Sequence, residues 1–288
     1  MVKPVNYQSD GTYQNLYEES IRNPKGFWAR QANLIDWHKP FDKVLDDSKP
    51  PFAAWYVGGE TNLCHNAVDR HLAEQGDKPA LIFVSTEVDQ ERVYTFKQLH
   101  EEVQIAAAML QKMGVQKGDR VLIYMPMIPE ATFAMLACAR IGAIHSVVFG
   151  GFASHSLASR IEDAQPKVIV SADAGSRGGK AVPYKPLLDE AIERSSYKPA
   201  SVLMVNRGLV PFEAVTGRDQ DYAKLHAELA NAKVPVTWLK ATDSSYILYT
   251  SGTTGKPKGV QRDVGGYAVA LAASMKHIFM GEKGKTFF

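Results

Sequence analysis

The chain has 288 residues, 45% of them hydrophobic and 22% charged, enough for one large globular domain or two ordinary ones. A net charge of +2 gives no reason to expect a nucleic-acid or membrane-surface partner, and the most apolar window, 131–149, is broken by Arg140 and His145, which argues against a membrane span. The opening MVKPVNYQSDGTYQ lacks the apolar core of a signal peptide, and Cys138 lies in the apolar run 131–143, so a buried thiol and a cytoplasmic setting are expected.

Residues 1–66 are rich in aromatics, broken by short polar stretches and by Pro40, Pro50 and Pro51, and they predict a wrapping segment. Cys64, His65 and His71 have no second ligand pair at zinc-like spacing, so no metal site is expected there. From Lys78 onward the pattern alternates. Residues 80–85 read as a strand, and Thr95 with Gln98 three residues on is a capping box. Leu99, Val103, Ala106, Leu110 and Met113 form one apolar helical face that Gly114 ends. A strand at 120–125, a helix at 129–141 and a strand at 143–149 follow. Leu157, Ile161 and Ala164 mark the next helix, 167–171 the next strand, and 184–194, 201–206 and 220–232 continue the series. Repeated βα units at this spacing predict an α/β fold with a largely parallel, helix-flanked sheet.

Three stretches stand out for binding. Phe149-Gly150-Gly151-Phe152 follows a predicted strand, where an α/β sheet opens its ligand crevice, although a glycine pair also suits any sharp turn. Arg177-Gly178-Gly179-Lys180 sets two cations around glycines, a phosphate site or a solvated basic loop. It is no nucleophile elbow, because Ala174 stands where Gly-x-Ser-x-Gly needs its first glycine. The third, YILYTSGTTGKPKG at 246–259, reads as a buried strand and then a hydroxyl- and glycine-rich loop, Thr250 to Lys256, with Lys258 as a second cation. Val264, Tyr267, Leu271, Met275 and Ile278 predict a helix directly after that loop. The Walker and Rossmann phosphate fingerprints are both absent. His38, His100, His145, His155, His226 and His277 show no partner pattern and read as surface or satisfied core, and no paired-carboxylate motif appears.

The string TSGTTGKPKG resembles the signature of the AMP-forming acyl-CoA synthetases, a superfamily of adenylating ligases. GVQRDVGGYAVALAASM resembles the propionyl-CoA synthetases of its short-chain branch, and WYVGGETNLCHNAVDRHL at 55–72 is similar to the N-terminal extension of that branch. The resemblance implies an extension at 1–66 and, at 67–288, the N-terminal portion of the adenylating domain, incomplete. It implies that Thr250, Ser251, Gly252, Thr253, Thr254, Gly255 and Lys256 hold the phosphates of ATP with Mg²⁺. Phe149, Gly150 and Gly151 would lie near the pantetheine of coenzyme A, with Arg177 and Lys180 at its nucleotide end. The family commonly has a second arginine where this chain has Lys180, which keeps the charge but not the planar fork.

The reaction implied is activation of a short-chain carboxylate, propionate first and acetate as the alternative, through an acyl-adenylate to its CoA thioester. The family's adenine, ribose and catalytic-lysine motifs are not in these residues. No catalytic residue or metal ligand is therefore assigned, a truncated ligase inactive by itself is expected, and a non-catalytic nucleotide-binding remnant stays open. The expected partners are small molecules. A luciferase-like or peptide-synthetase adenylation domain is a weaker rival, disfavoured by the segment before residue 66.

Overall fold

The computed structural model describes residues 12–251 and 257–287, with the backbone alone for Phe149. The chain divides into two compact units, one of Met1–Thr61, Lys240–Thr242 and Gly265–Phe288 and one of Asn62–Leu239 and Asp243–Val264.

In the first unit the aromatic residues form a core of rings. Tyr56, on the hairpin of Lys43–Lys49 and Phe52–Val57, is buried and its ring meets those of Trp37, Phe41 and Trp55 at centroid distances of 5.3, 5.0 and 6.0 Å. Its hydroxyl donates to the Trp28 carbonyl at 3.0 Å, which satisfies the one polar atom the ring carries inward. Asn23 caps the helix Pro24–Gln31 by accepting from the Gly26 N–H at 3.1 Å. The helix Gly265–His277 belongs to this unit, but not on the face the sequence predicted. Ala268, Val269 and Ala273 are buried, while Leu271 and Ile278 are exposed. Small residues decide the contact, since a Cβ on Gly265 would stand 2.4 Å from the Cβ of Ala241.

The second unit holds the predicted alternation. An antiparallel hairpin of β1 (Pro79–Ser85) and β2 (Gln90–Thr95) leads into α1 (Phe96–Lys112). The capping box forms with both arms: Gln98 N–H donates to Thr95 Oγ1 at 3.2 Å and Thr95 N–H to Gln98 Oε1 at 2.9 Å. After it come β3 (Arg120–Met125), α2 (Pro129–Ile141), β4 (Ile144–Phe149), α3 (Ser154–Ala164) and β5 (Val168–Ala172). A short hairpin of β6 (Ala174–Arg177) and β7 (Lys180–Pro183) precedes α4 (Tyr184–Arg194), β8 (Ser201–Val205), β9 (Asp219–Asp221) and α5 (Tyr222–Glu228). The unit ends with β10 (Ser244–Thr250) and β11 (Lys258–Asp263).

Seven strands form one sheet in the order β9-β8-β5-β3-β4-β10-β11, parallel throughout except for the last pair. Side chains alternate across it. Val121, Ile123 and Met125 of β3 enter a core with α1 and α2, and Leu122 and Tyr124 enter another with α3 and α4. Arg140, the charge that breaks the apolar window, is buried with its partners. Its Nη1 donates to both Asp69 oxygens at 2.9 Å and its Nε to the Val234 carbonyl at 2.6 Å. Among the described residues no helix is long and apolar enough to cross a membrane.

Two expectations fail at 246–263. The strand is present, but β10 is not buried: Ser245 is its only buried residue and Leu248 is 50% exposed. Aromatic and branched residues marked a pleated segment, whereas burial depends on what covers its faces. The loop also leads not into a helix but into β11, which pairs back on β10 from Ile247↔Gln261 to Thr250↔Lys258. The helix begins only at Gly265, after β11.

His145 corrects the reading of a satisfied core histidine. It stacks on Tyr246 at a centroid distance of 5.5 Å, and its buried Nδ1 has no hydrogen-bond partner among the described residues. The residue keeps a partly exposed edge, but the surroundings of the sealed nitrogen govern its titration. Burial pulls its pKa down to about 4. Below pH 6.5 the unfolded chain therefore takes up a proton that the folded chain refuses, and stability falls as pH drops toward 4. The expected loss from pH 7 to pH 5 is about 2 kcal/mol, read as the change in the unfolding free energy extrapolated to zero urea in the native chain minus the same change in His145→Phe. Identical pH dependence in the two proteins would contradict this account of the ring.

Candidate functional site: the turns at the carboxyl ends of the sheet

The strand order reverses at β3, whose neighbours β4 and β5 lie on either side of it. Such a reversal opens a crevice at the carboxyl ends of the strands. Two of the three predicted binding stretches meet there. Gly150 follows β4 and Gly175 lies in β6, and a Cβ on either would strike the hydroxyl of Tyr184, at 2.0 and 2.4 Å respectively. The Tyr184 ring packs against that of Tyr124 with centroids 4.9 Å apart and planes tilted by 32°, and the Tyr124 hydroxyl donates to the Phe152 carbonyl at 3.2 Å. Burial pushes the pKa of both phenols up, so they remain neutral donors.

This pair changes the meaning of the glycines. The space beside Gly150 is filled by the protein's own tyrosine, so close approach of a ligand is not what excludes a side chain there. Gly151 is exposed and stays available for that role, and Phe149 closes β4. Neither tyrosine carried a local signal in the sequence, because both act through contacts distant along the chain.

The second stretch is a two-residue hairpin. Gly178 and Gly179 have φ of +58° and +77°, the left-handed pair of a tight primed turn, and Arg177 pairs directly with Lys180. Both cations are exposed, and neither forms an ion pair with a described residue. Like charges at directly opposed strand positions repel, so an anion bound between them would relieve the hairpin. Its base is fastened by Glu87, whose Oε1 accepts from the Ser176 N–H at 3.0 Å and whose Oε2 pairs with Arg207 Nη2 at 2.6 Å. Arg207 Nη1 also donates to the Ala174 carbonyl at 3.0 Å. Glu87 and Arg207 are positioning groups that the sequence did not mark.

Of the third stretch, Thr250 and Ser251 are exposed at the end of β10, and the Thr250 hydroxyl donates to the Lys258 carbonyl at 3.5 Å. Gly252, Thr253, Thr254, Gly255 and Lys256 lie outside the described residues. Among the described residues no group of three or more His, Cys, Asp or Glu side chains could hold a metal ion.

Residues 68–287 match the AMP-binding enzyme family, and residues 13–67 match the acetyl-coenzyme A synthetase N-terminus. Over 277 residues the chain is 62% identical to the propionate–CoA ligase of Salmonella typhimurium, covering 96% of this chain and 44% of that protein. It is 45% identical to the mitochondrial acyl-CoA synthetase short-chain family member 3 of Rattus norvegicus, covering 96% and 41%. It is 43% identical to the acetyl-coenzyme A synthetase of Serratia proteamaculans, covering 96% and 43%. The solved acetoacetyl-CoA synthetase from Streptomyces lividans superposes with a TM-score of 0.82 at 29% identity, over 92% of this chain and 40% of that one. The chain thus spans less than half the length of these relatives, and over that span, by family match and by fold alike, it belongs to the AMP-binding enzyme family.

Proposed function

We propose that this chain supplies the N-terminal part of an AMP-forming short-chain acyl-CoA ligase, with residues 1–66 as an extension and 67–288 as the first portion of the adenylating domain. The reaction has two halves. A carboxylate oxygen attacks the α-phosphorus of ATP, the bond to the β-phosphate oxygen breaks, and acyl-adenylate and pyrophosphate form. The CoA thiolate then attacks the acyl carbon, and AMP leaves with the bonding electrons. Phosphoryl chemistry of this kind depends on holding charged groups in line, so the chain's part is binding and orientation. The residues from Thr250 to Lys256 hold the β- and γ-phosphates through backbone N–H groups, hydroxyls and the Lys256 ammonium. When bound with the triphosphate, Mg²⁺ would neutralise part of its charge, and no residue of this chain is assigned to hold it. Gly151 borders the pantetheine, and Arg177 with Lys180 meets the phosphates at the nucleotide end of CoA. No residue of the chain is given a proton-transfer role.

The observation that carries the CoA side is the meeting of the Gly150 turn and the Arg177–Lys180 hairpin at Tyr184. Arg177→Ala in the full-length enzyme is expected to raise the KM for CoA about tenfold, the loss of one charged hydrogen-bonding group. Pyrophosphate exchange, which needs no CoA, stays unchanged, and equal damage to both would contradict the assignment. Propionate is the proposed acid, supported by the higher identity to propionate–CoA ligase than to acetyl-coenzyme A synthetase. A carboxylate panel on the full-length enzyme tests it: the highest kcat/KM falls to propionate, and a preference for acetate would transfer the function to that substrate.

A further inference from the structure

One buried cation lies between the two sides of the proposed site. Arg160 on α3 is only 6% exposed, and no described carboxylate forms an ion pair with it. A charge withdrawn from water needs compensation. Its Nη1 donates to the Ser156 carbonyl at 2.7 Å, and two aromatic faces supply the rest. The guanidinium carbon is 4.4 Å from the ring centroid of Phe152 and 5.3 Å from that of Tyr249.

These rings belong to different ligand-binding stretches. Phe152 ends the turn that contains Gly150 and Gly151, and Tyr249 lies at the end of β10, beside Thr250. Three residues along α3, Asp163 accepts a hydrogen bond from the Tyr249 hydroxyl at 2.6 Å. Gly259 is opposite Tyr249 in the hairpin register, and a Cβ there would stand 3.3 Å from the Tyr249 ring and 3.4 Å from the Asp163 carboxylate. The helix therefore holds β10 through Asp163 and Tyr249, lies close against β11 at Gly259, and meets the turn through Arg160.

We infer that Arg160 is a positioning residue: seated between Phe152 and Tyr249, it fixes the spacing between the CoA-side turn and the hairpin that carries the ATP-side loop. The inference rests on the ligase reading above. It separates two roles, because Phe152 in the turn before α3 lies on the CoA side alone while Arg160 on α3 touches both sides. A flexible, point-charged lysine could not present a planar face to both rings.

The test uses the full-length enzyme with Arg160→Ala, Phe152→Leu and the double variant. The KM for ATP is read from pyrophosphate exchange and the KM for CoA from thioester formation, with thermal midpoints measured alongside. Arg160→Ala is expected to raise both KM values about 5- to 10-fold, a coupling of ordinary size. Phe152→Leu raises the KM for CoA alone, and adding it to Arg160→Ala changes little more, because the tie is already cut. A residue that served stability only would lower the thermal midpoint and the amount of active enzyme while leaving both KM values where they were. That result would overturn the inference, as would fully additive effects of the two substitutions. Wild-type enzyme that formed no acyl-CoA from any short-chain acid would instead remove the ligase reading, a failure visible before any variant is compared.

Discussion

Alanine at position 256 is expected to slow ATP–pyrophosphate exchange in the full-length enzyme by about 100-fold or more, the usual effect of removing one preorganised charge-stabilising donor. On the proposed reading, the pairing of β10 with β11 puts more of the phosphate charge on Lys256 than a strand–loop–helix arrangement would. A loop opening into a helix could borrow the positive end of the helix dipole for its phosphates. Here the loop returns as β11, antiparallel to β10, and the helix begins only at Gly265. In the proposed site, backbone N–H groups, hydroxyls and lysine then carry the phosphate charge without that help. Lys258 is exposed at the first position of β11 and offers a second cation, so Lys256→Ala combined with Lys258→Ala should cost more than either alone. Exchange that proceeded at the wild-type rate in Lys256→Ala would remove the loop from phosphate binding.

Valine at position 150 has the second largest expected effect. A Cβ there would lie 2.0 Å from the Tyr184 hydroxyl, 2.5 Å from its Cζ and 2.9 Å from a ring carbon beyond. Tyr184 cannot swing away freely, because it begins α4, is buried and packs against the Tyr124 ring. Overpacking of this kind costs about 1–3 kcal/mol. The displaced ring would also disturb Gly175 and with it the Arg177–Lys180 hairpin, so the KM for CoA should rise together with the loss of stability. Tyr184→Phe should not rescue it, since the ring carbons remain in the way. Urea denaturation and CoA kinetics measure the two effects, and wild-type behaviour in both would show that this turn has room the structure denies it.

Much of the fold was legible because its signals are local. The capping box at Thr95 and Gln98, the apolar stripe of α1 and the strand–helix alternation from residue 120 to 205 each depend on neighbours within a turn or a pleat. The hairpins were not legible. Arg177-Gly178-Gly179-Lys180 read as a basic loop because the strands on either side have only four residues each. The polar sequence from Lys258 to Asp263 becomes a strand only through its pairing with β10. Of the candidate site, the glycines and cations stand out by composition, and the groups that hold them in the structure do not. Tyr124, Tyr184, Glu87, Arg207 and Arg160 work through contacts between segments far apart in the chain. Arg140 carried the same lesson for stability, since a charge that seemed to interrupt an apolar run is buried against Asp69.

A crystal structure of the full-length enzyme with ATP tests the central claim most directly. The β- and γ-phosphate oxygens are expected within about 3 Å of backbone N–H groups and hydroxyls between Thr250 and Lys256. A triphosphate bound elsewhere, with the β10–β11 hairpin free of it, would contradict the ligase account of this chain.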